Sequence, residues 1–376
     1  MRTYDTAILG LGAMGSAAAL ELRRRNASVI GFDRFAPPHA NGSHSGQTRI
    51  FRLAHYDSPK YVPLAKRAGE LWDGLSAEFG MPLLNRIGLL KMGPETDGLI
   101  DGIRRSAEDF QIPVEPLTAS EVRYRYPAFR IPDHFVGYLE HTAGWIDVDA
   151  AITGMQNKAR ELGGELCLNC AVEGWESDGK SVIVRAAGRD IRANKLIIAA
   201  GAWTTRILSE LGLPIRIIRK TFFFFDPLEP EKFTDRVVPI FGFPPNIFYA
   251  FPSIAGSGVK AAEHLGGEVI ASPDAPIKEP DPGSILQTVS QFMPALAGPP
   301  PGDAARISRT VSCLYSMTPN EHFIMDLHPQ YPNVVFAAGF SGHGFKFTPV
   351  IGEIMADLAL NGKTTLPIEF LRIVPS

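Results

Sequence analysis

The chain has 376 residues, of which 45% are hydrophobic and 20% charged, and a formal net charge of −3. This length suggests about two domains, and the charge, with no basic run longer than Arg23 to Arg25, argues against nucleic-acid binding. No apolar stretch nears the ~18 residues of a bilayer span, no charged-apolar-small leader pattern opens the chain, and the 3 cysteines do not make a disulfide scaffold. A soluble, cytoplasmic protein is expected.

Tyr4 to Leu9 reads as a buried parallel strand. Gly10, Gly12 and Gly15 follow as G-x-G-x-x-G, where a strand would turn into a helix. The first glycine permits the turn, the second admits a pyrophosphate to the backbone, and the third lets helix pack on strand. Phosphates would meet the unpaired N–H groups and the positive dipole end of that helix. Ser16 to Arg25 continues it and ends in three arginines. Ser28 to Phe32 is a second strand, and Asp33 closes it about 20 residues past the motif, where a ribose-binding carboxylate belongs. A dinucleotide site is therefore expected, although the motif alone does not separate FAD from NAD.

Further on, Pro37-Pro38 mark a loop. Gly42-Ser43-His44-Ser45 and Thr48 to Arg52 combine small residues with donors; they face a ligand or form a solvated basic loop. Tyr61 to Gly80 has helical periodicity. From Leu83 to Tyr138, short apolar runs and Pro-rich turns suggest a second domain inserted into the first, with a helix starting at Thr118. Asp147 to Leu162 returns to helix. Glu165 to Val172, Ser181 to Ala186 and Asp190 to Arg192 read as strands. Cys167 and Cys170 would then share one strand, pointing to opposite faces, and two buried cysteines are a better reading than a metal or dithiol site.

Lys195 to Gly201, followed by Trp203, is another buried strand ending in glycine. Such a strand beneath a bound nucleotide is usual in flavoproteins of the two-dinucleotide type, which moves the expected cofactor towards FAD. Arg216 to Phe225, with four terminal phenylalanines, reads as a buried strand, or as a stripe with alternate rings facing a ligand. Phe243 to Asn246 and Pro280 to Pro301 are expected to be loops. Asn333 to Ala338 is a strand that leads into Gly339-Phe-Ser-Gly-His343-Gly-Phe-Lys346, and Thr348 would cap a last helix that Gly362 ends. This glycine-rich turn before a helix is a second anion site, suited to negative charge on a reduced flavin ring.

Taken together, Gly10 to Gly15, Gly42-Ser-His44, Thr48-Arg49-Ile-Phe-Arg52, Tyr249-Ala-Phe-Pro-Ser, Lys260 with His264, Cys313-Leu-Tyr315 and Gly339 to Lys346 resemble monomeric sarcosine oxidase and its N-methyltryptophan oxidase relatives. These belong to the wider D-amino-acid-oxidase-like flavoproteins. The resemblance implies an α/β chain with a Rossmann-like FAD domain (1–83, 146–216 and 316–376) and an inserted mixed-sheet substrate domain (84–145 and 217–315). It also implies FAD attached covalently through Cys313, Arg52 and Lys346 clamping a substrate carboxylate, and Lys260 promoting the reaction with oxygen. Tyr249 and His264 would line the substrate side, while Arg49 and His44 would flank the flavin. Asp33, Val172 and Gly201 would touch the adenosine, and Ala13, Met14, Arg34, Ser43, Gly42, Trp203, Met317, Phe340, Gly342, His343, Gly344 and Phe345 complete the expected cofactor contacts. Two positions depart from the pattern. Ser45 stands where a second histidine is usual, and Ile240 where methionine is common beside the substrate.

The expected activity is oxidation of a secondary amine such as sarcosine, with oxygen as acceptor and hydrogen peroxide as product, by a monomer without a metal. A bulkier or cyclic amine (N-methyltryptophan, pipecolate or proline, a glycated amino acid) and a dehydrogenase using another acceptor are the alternatives.

Overall fold

The computed structural model describes residues 3–234, 238–243 and 246–373. Two large sheets and a small one organise them. The first sheet is nucleated by Thr3–Leu9, whose alternation gives way to four successive buried positions, as a strand covered on both faces requires. It pairs in parallel with Val29–Phe32 on one side and with Arg189–Ile198 on the other. Val334–Ala338, wholly buried, joins Arg189–Ile198 in parallel. Helix Ala13–Arg24 follows the first strand directly and packs between helices Val148–Glu161 and Thr348–Asn361. Gly15 is obligatory in this corner: a Cβ there would stand 1.7 Å from the carbonyl oxygen of Gly10.

The second sheet runs Glu268–Ile270, Arg216–Phe225, Val259–Glu263, Asn246–Phe251, Val238–Phe243, Leu89–Pro94, Phe135–Glu140, Glu115–Thr118, and Ile307–Met317 pairs with Arg216–Phe225. Arg216–Phe225 alternates between two cores. Phe223 and Phe225 pack with the helix Gly283–Phe292, whereas Phe222 and Phe224 pack with Cys313 and Tyr315. Thr48–Phe51, Gly144–Asp147 and Leu84–Asn85 form the small third sheet, and Arg49 and Arg52 sit on or beside it. Among the described residues no helix is long and apolar enough to cross a membrane.

Four expectations change. Glu165 to Val172 is not one strand: Glu165–Cys167 ends early, Asn169 takes a left-handed φ of 53°, and Val172–Ser177 starts afresh. The turn is held by Asn169 and Cys170 N–H groups donating to the carbonyls of Phe35 and Asp33. Pro280 to Pro301 is not a loop. Apolar Ile285, Leu286, Val289 and Phe292 make the helix Gly283–Phe292, and its flanking prolines sit at helix starts, where no N–H is missed. Lys195 to Gly201 is not a separate strand but the end of Arg189–Ile198. Thr348 is the first helical residue instead of the cap, and its hydroxyl donates to the Phe345 carbonyl. Phe243 and Asn246 end and begin strands, and positions 244–245 between them lie outside the described residues.

Candidate active site

A cavity of about 430 Å³ runs from the first sheet to the second. At one end it is lined by Gly10, Gly12, Ala13, Met14, Asp33, Arg34, Val172, Gly201 and Trp203. Gly10 has φ 92°, and a Cβ on it would lie 2.5 Å from the Ala199 carbonyl oxygen, so the turn tolerates only glycine. The side-chain position of Gly12, in contrast, meets nothing closer than 3.4 Å, and the N-terminus of helix Ala13–Arg24 opens towards the cavity without a side-chain cap. Asp33 accepts the Leu11 N–H at 2.7 Å and the Phe35 N–H at 2.8 Å, one on each oxygen, which leaves lone pairs for a ribose. Burial raises its pKa. An uncapped helix start, a glycine cradle and a ribose-type carboxylate on one wall fit the ADP part of FAD.

The middle of the cavity is lined by Gly42, Ser43, His44, Arg49 and the Gly339 to Lys346 turn, including Phe340, Gly342, His343, Gly344 and Phe345. Burial pushes His44 down to about 3, and its Nε2 accepts the His39 N–H at 3.1 Å. His343 is pushed down to about 4 by burial, and its Nδ1 is buried without a partner. Arg49 donates to the Ser45 carbonyl at 2.6 Å and reaches the Cys313 sulfur at 3.3 Å. Cys313 itself is fully buried behind the wall, and Met317 likewise does not line the cavity. Ser45, in place of the expected histidine, is buried and donates to the Ser312 carbonyl.

At the far end Arg52, Tyr249, His264 and Lys346 converge. Arg52 donates to Asp57 Oδ2 at 2.5 Å, lies 4.1 Å over the Tyr56 ring, and keeps Nε buried without a partner. Lys346 donates to the His343 carbonyl at 2.6 Å, and burial beside Arg52 drives its pKa well below the usual lysine value. Tyr249 and Tyr315 place their hydroxyls 3.4 Å apart, and the His264 ring stands 5.8 Å from that of Tyr315. Burial holds His264 near about 3, a neutral imidazole at neutral pH.

Lys260 is placed differently from the residues beside it in the sequence reading. It does not line the cavity: its ammonium lies 4.0 Å over the Phe251 ring and donates to the Gly46 and Thr48 carbonyls, both at 2.8 Å. Ile240 pairs with Tyr249 in the sheet, and its side chain lies outside the described residues. Sequence reading missed Tyr56, Asp57, His39 and Tyr315 as wall or support residues. Only Tyr315 carried a signal, as the residue two beyond Cys313 on the same face of one strand.

A full-length comparison decides the family. The model for the FAD dependent oxidoreductase family matches residues 5–358. The chain belongs to that family. It is 34% identical to monomeric sarcosine oxidase of Bacillus sp. strain B-0618, over 98% of this chain and 95% of the relative. It is 35% identical to N-methyl-L-tryptophan oxidase of Salmonella dublin, over 96% of each. Among solved structures it superposes on NikD, an unusual amino acid oxidase essential for nikkomycin biosynthesis, with a TM-score of 0.85 and 24% identity over 99% of this chain and 98% of that one. L-proline dehydrogenase of P. horikoshii gives 0.83 and 23% over 99% and 97%. The chain is therefore a flavin-dependent oxidoreductase built on the mixed α/β fold expected from its sequence.

Proposed function

We propose that the protein is an FAD-dependent oxidase of a small secondary amine bearing one carboxylate, of which sarcosine is the simplest. The observation that carries this reading is the convergence of Arg52 and Lys346, both buried and both lining one end of the cavity that the cofactor cradle opens at the other. FAD, when bound, would accept one hydride equivalent, that is two electrons and one proton, from the carbon beside the amine nitrogen, while the nitrogen gives up its proton; the two electrons would then pass to oxygen, which with two protons gives hydrogen peroxide.

The residues orient and charge that site. Arg52 offers a planar fork, and Lys346 a point charge, to the substrate carboxylate. An anion arriving there favours the protonated form of Lys346, which burial otherwise opposes. The same two cations disfavour an ammonium nearby, so the amine is held neutral, with His264 or Tyr249 as its hydrogen-bond partner. The imine product hydrolyses, and for sarcosine this gives glycine and formaldehyde. Arg49 beside Cys313 supports a covalent cofactor link.

Anaerobic addition of sarcosine to the purified yellow protein is the test. Bleaching of the flavin band supports the reading. A band that stays yellow with sarcosine but bleaches with a bulkier or cyclic amine replaces the substrate, and one that bleaches with no amine ends the proposal.

A further inference from the structure

Behind Arg52 lies a second pair of buried charges that the proposed chemistry leaves unused. Lys91 and Glu140 come from paired antiparallel strands, in which Leu89 faces Glu140 and Lys91 faces Tyr138. They are diagonal neighbours on one face, and Nζ stands 2.8 Å from Oε2 with both side chains sealed from solvent. The pair grips the chain next to Arg52. Glu140 accepts the N–H groups of Leu53 at 2.6 Å and Ala54 at 3.2 Å, and Lys91 donates to the Ala54 carbonyl at 3.1 Å. These are the two residues after Arg52, where strand Thr48–Phe51 has already ended. A buried ion pair is weak evidence for stability, because well-packed apolar residues of similar size commonly do as well.

The charge count around the clamp gives the pair another meaning. With Lys346 protonated, the form that an arriving carboxylate favours, Arg52, Lys91 and Lys346 face Asp57 and Glu140: three buried cations against two buried carboxylates. Lys220, a further buried cation, lies 5.5 Å from the Tyr315 ring, donates to the Leu265 and Gly266 carbonyls and has Glu263 acting on it. His55 and His343 are held uncharged by burial, and Tyr56 keeps its proton. Glu321, the next carboxylate outward, is exposed. One positive charge is thus in excess in a site that water does not screen, and one substrate carboxylate balances it.

We propose that Lys91 acts on the carboxylate clamp through its charge: paired with Glu140 behind the strap that carries Arg52, it sets the clamp to accept one carboxylate. The inference rests on the proposed function and deepens it. Lys91→Met removes the excess and leaves Glu140 as an unpaired neighbour of Arg52. Lys91→Met with Glu140→Gln restores the excess without the ion pair. Glu140→Gln alone increases it.

The test titrates the flavin absorbance of the holoenzyme with methoxyacetate, which has an ether oxygen for the amine and cannot be oxidised in its place. Its neutral amide is the control, and sarcosine kinetics are measured beside it. Lys91→Met is expected to weaken methoxyacetate binding and raise KM about tenfold or more, with kcat and amide binding nearly unchanged. The double variant recovers most of that loss, and Glu140→Gln shifts affinity the other way. If Lys91→Met does not fold, the opposite sign expected of Glu140→Gln still decides. Equal loss of acid and amide binding, a double variant no better than Lys91→Met, or a Glu140→Gln enzyme with weakened anion binding would overturn the proposal. A parent enzyme that turns over amines yet binds no carboxylate would overturn the clamp reading with it.

Discussion

The Arg49 guanidinium stands 3.3 Å from the Cys313 sulfur, although the two residues lie on different sheets. The Ser43 carbonyl approaches the same sulfur at 3.4 Å. The buried sulfur thus has a guanidinium donor on one side and a carbonyl acceptor on the other. If the proposed covalent link to the flavin forms, it forms at this sulfur, and two substitutions test it.

Cys313→Ser is expected to give a protein that binds flavin but releases it on denaturation, whereas the parent keeps its yellow colour through a denaturing gel. Arg49→Met removes the donor that reaches the sulfur at 3.3 Å, and the fraction of flavin retained through a denaturing gel should fall. A parent protein that releases all of its flavin on denaturation would refute the covalent link.

Arg52 and Asp57 make a buried ion pair, so their losses differ in kind. Arg52→Ala should lower kcat/KM for sarcosine by about 10²-fold or more, the cost of truncating a buried charge contact. Arg52→Lys should recover only part, because it lacks the fork. Asp57→Ala should cost about 3–5 kcal/mol of stability, by leaving a guanidinium unpaired. Steady-state kinetics and urea midpoints separate the two, and an Asp57→Ala protein as stable as the parent would count against this account.

Local rules made the cofactor end legible. Gly10, Gly12, Gly15 and Asp33 fall within one strand–helix–strand stretch, and strand, turn and helix follow from spacing alone. The substrate end is assembled from segments far apart in sequence: the residue pattern offered Arg52 and Lys346 only as donors near a ligand or anion, and the resemblance alone pointed to Tyr249, His264 and a substrate role for all four. Asp57, Lys91 and Glu140 were invisible because a charged residue reads as solvated until its partner is found across a sheet. Lys260 was legible as a residue of interest, but its burial under Phe251, away from the cavity, depends on sheet register. The Gly283–Phe292 helix was missed because proline was read as a breaker at positions where it starts helices.

Buried histidines set the acid side of stability. His44 and His264 are held at about 3 and His343 at about 4, all below the ~6.5 of an unfolded chain. Above pH 6.5 both states are neutral and the full stability is present. As pH falls below it, the unfolded chain binds protons that the folded one refuses. Each group then removes up to about 1.4 kcal/mol per pH unit. Urea midpoints at pH 7, 6 and 5 should fall steadily, before most carboxylates titrate. Equal midpoints at pH 7 and 5 would show that these rings are not held neutral.

Two glycines test whether the ends of the cavity are separable. Gly342 has φ 75°, and a Cβ there would lie 2.2 Å from the Tyr315 ring. Gly342→Ala must displace Tyr315, and with it the partner of the Tyr249 hydroxyl and the neighbour of the His264 ring. The dinucleotide end is untouched by that shift. Gly342 also lines the middle of the cavity, so flavin content should fall less than in Gly10→Ala, while KM for the amine rises severalfold or more, as an ångström-scale misplacement implies. Gly10→Ala meets backbone, at 2.5 Å from the Ala199 carbonyl oxygen, which has no side-chain freedom with which to yield. That variant should lose flavin or fail to fold. A Gly10→Ala protein isolated with full flavin, or a Gly342→Ala protein that loses it while keeping KM, would mean that the two ends do not divide the work as the geometry divides them.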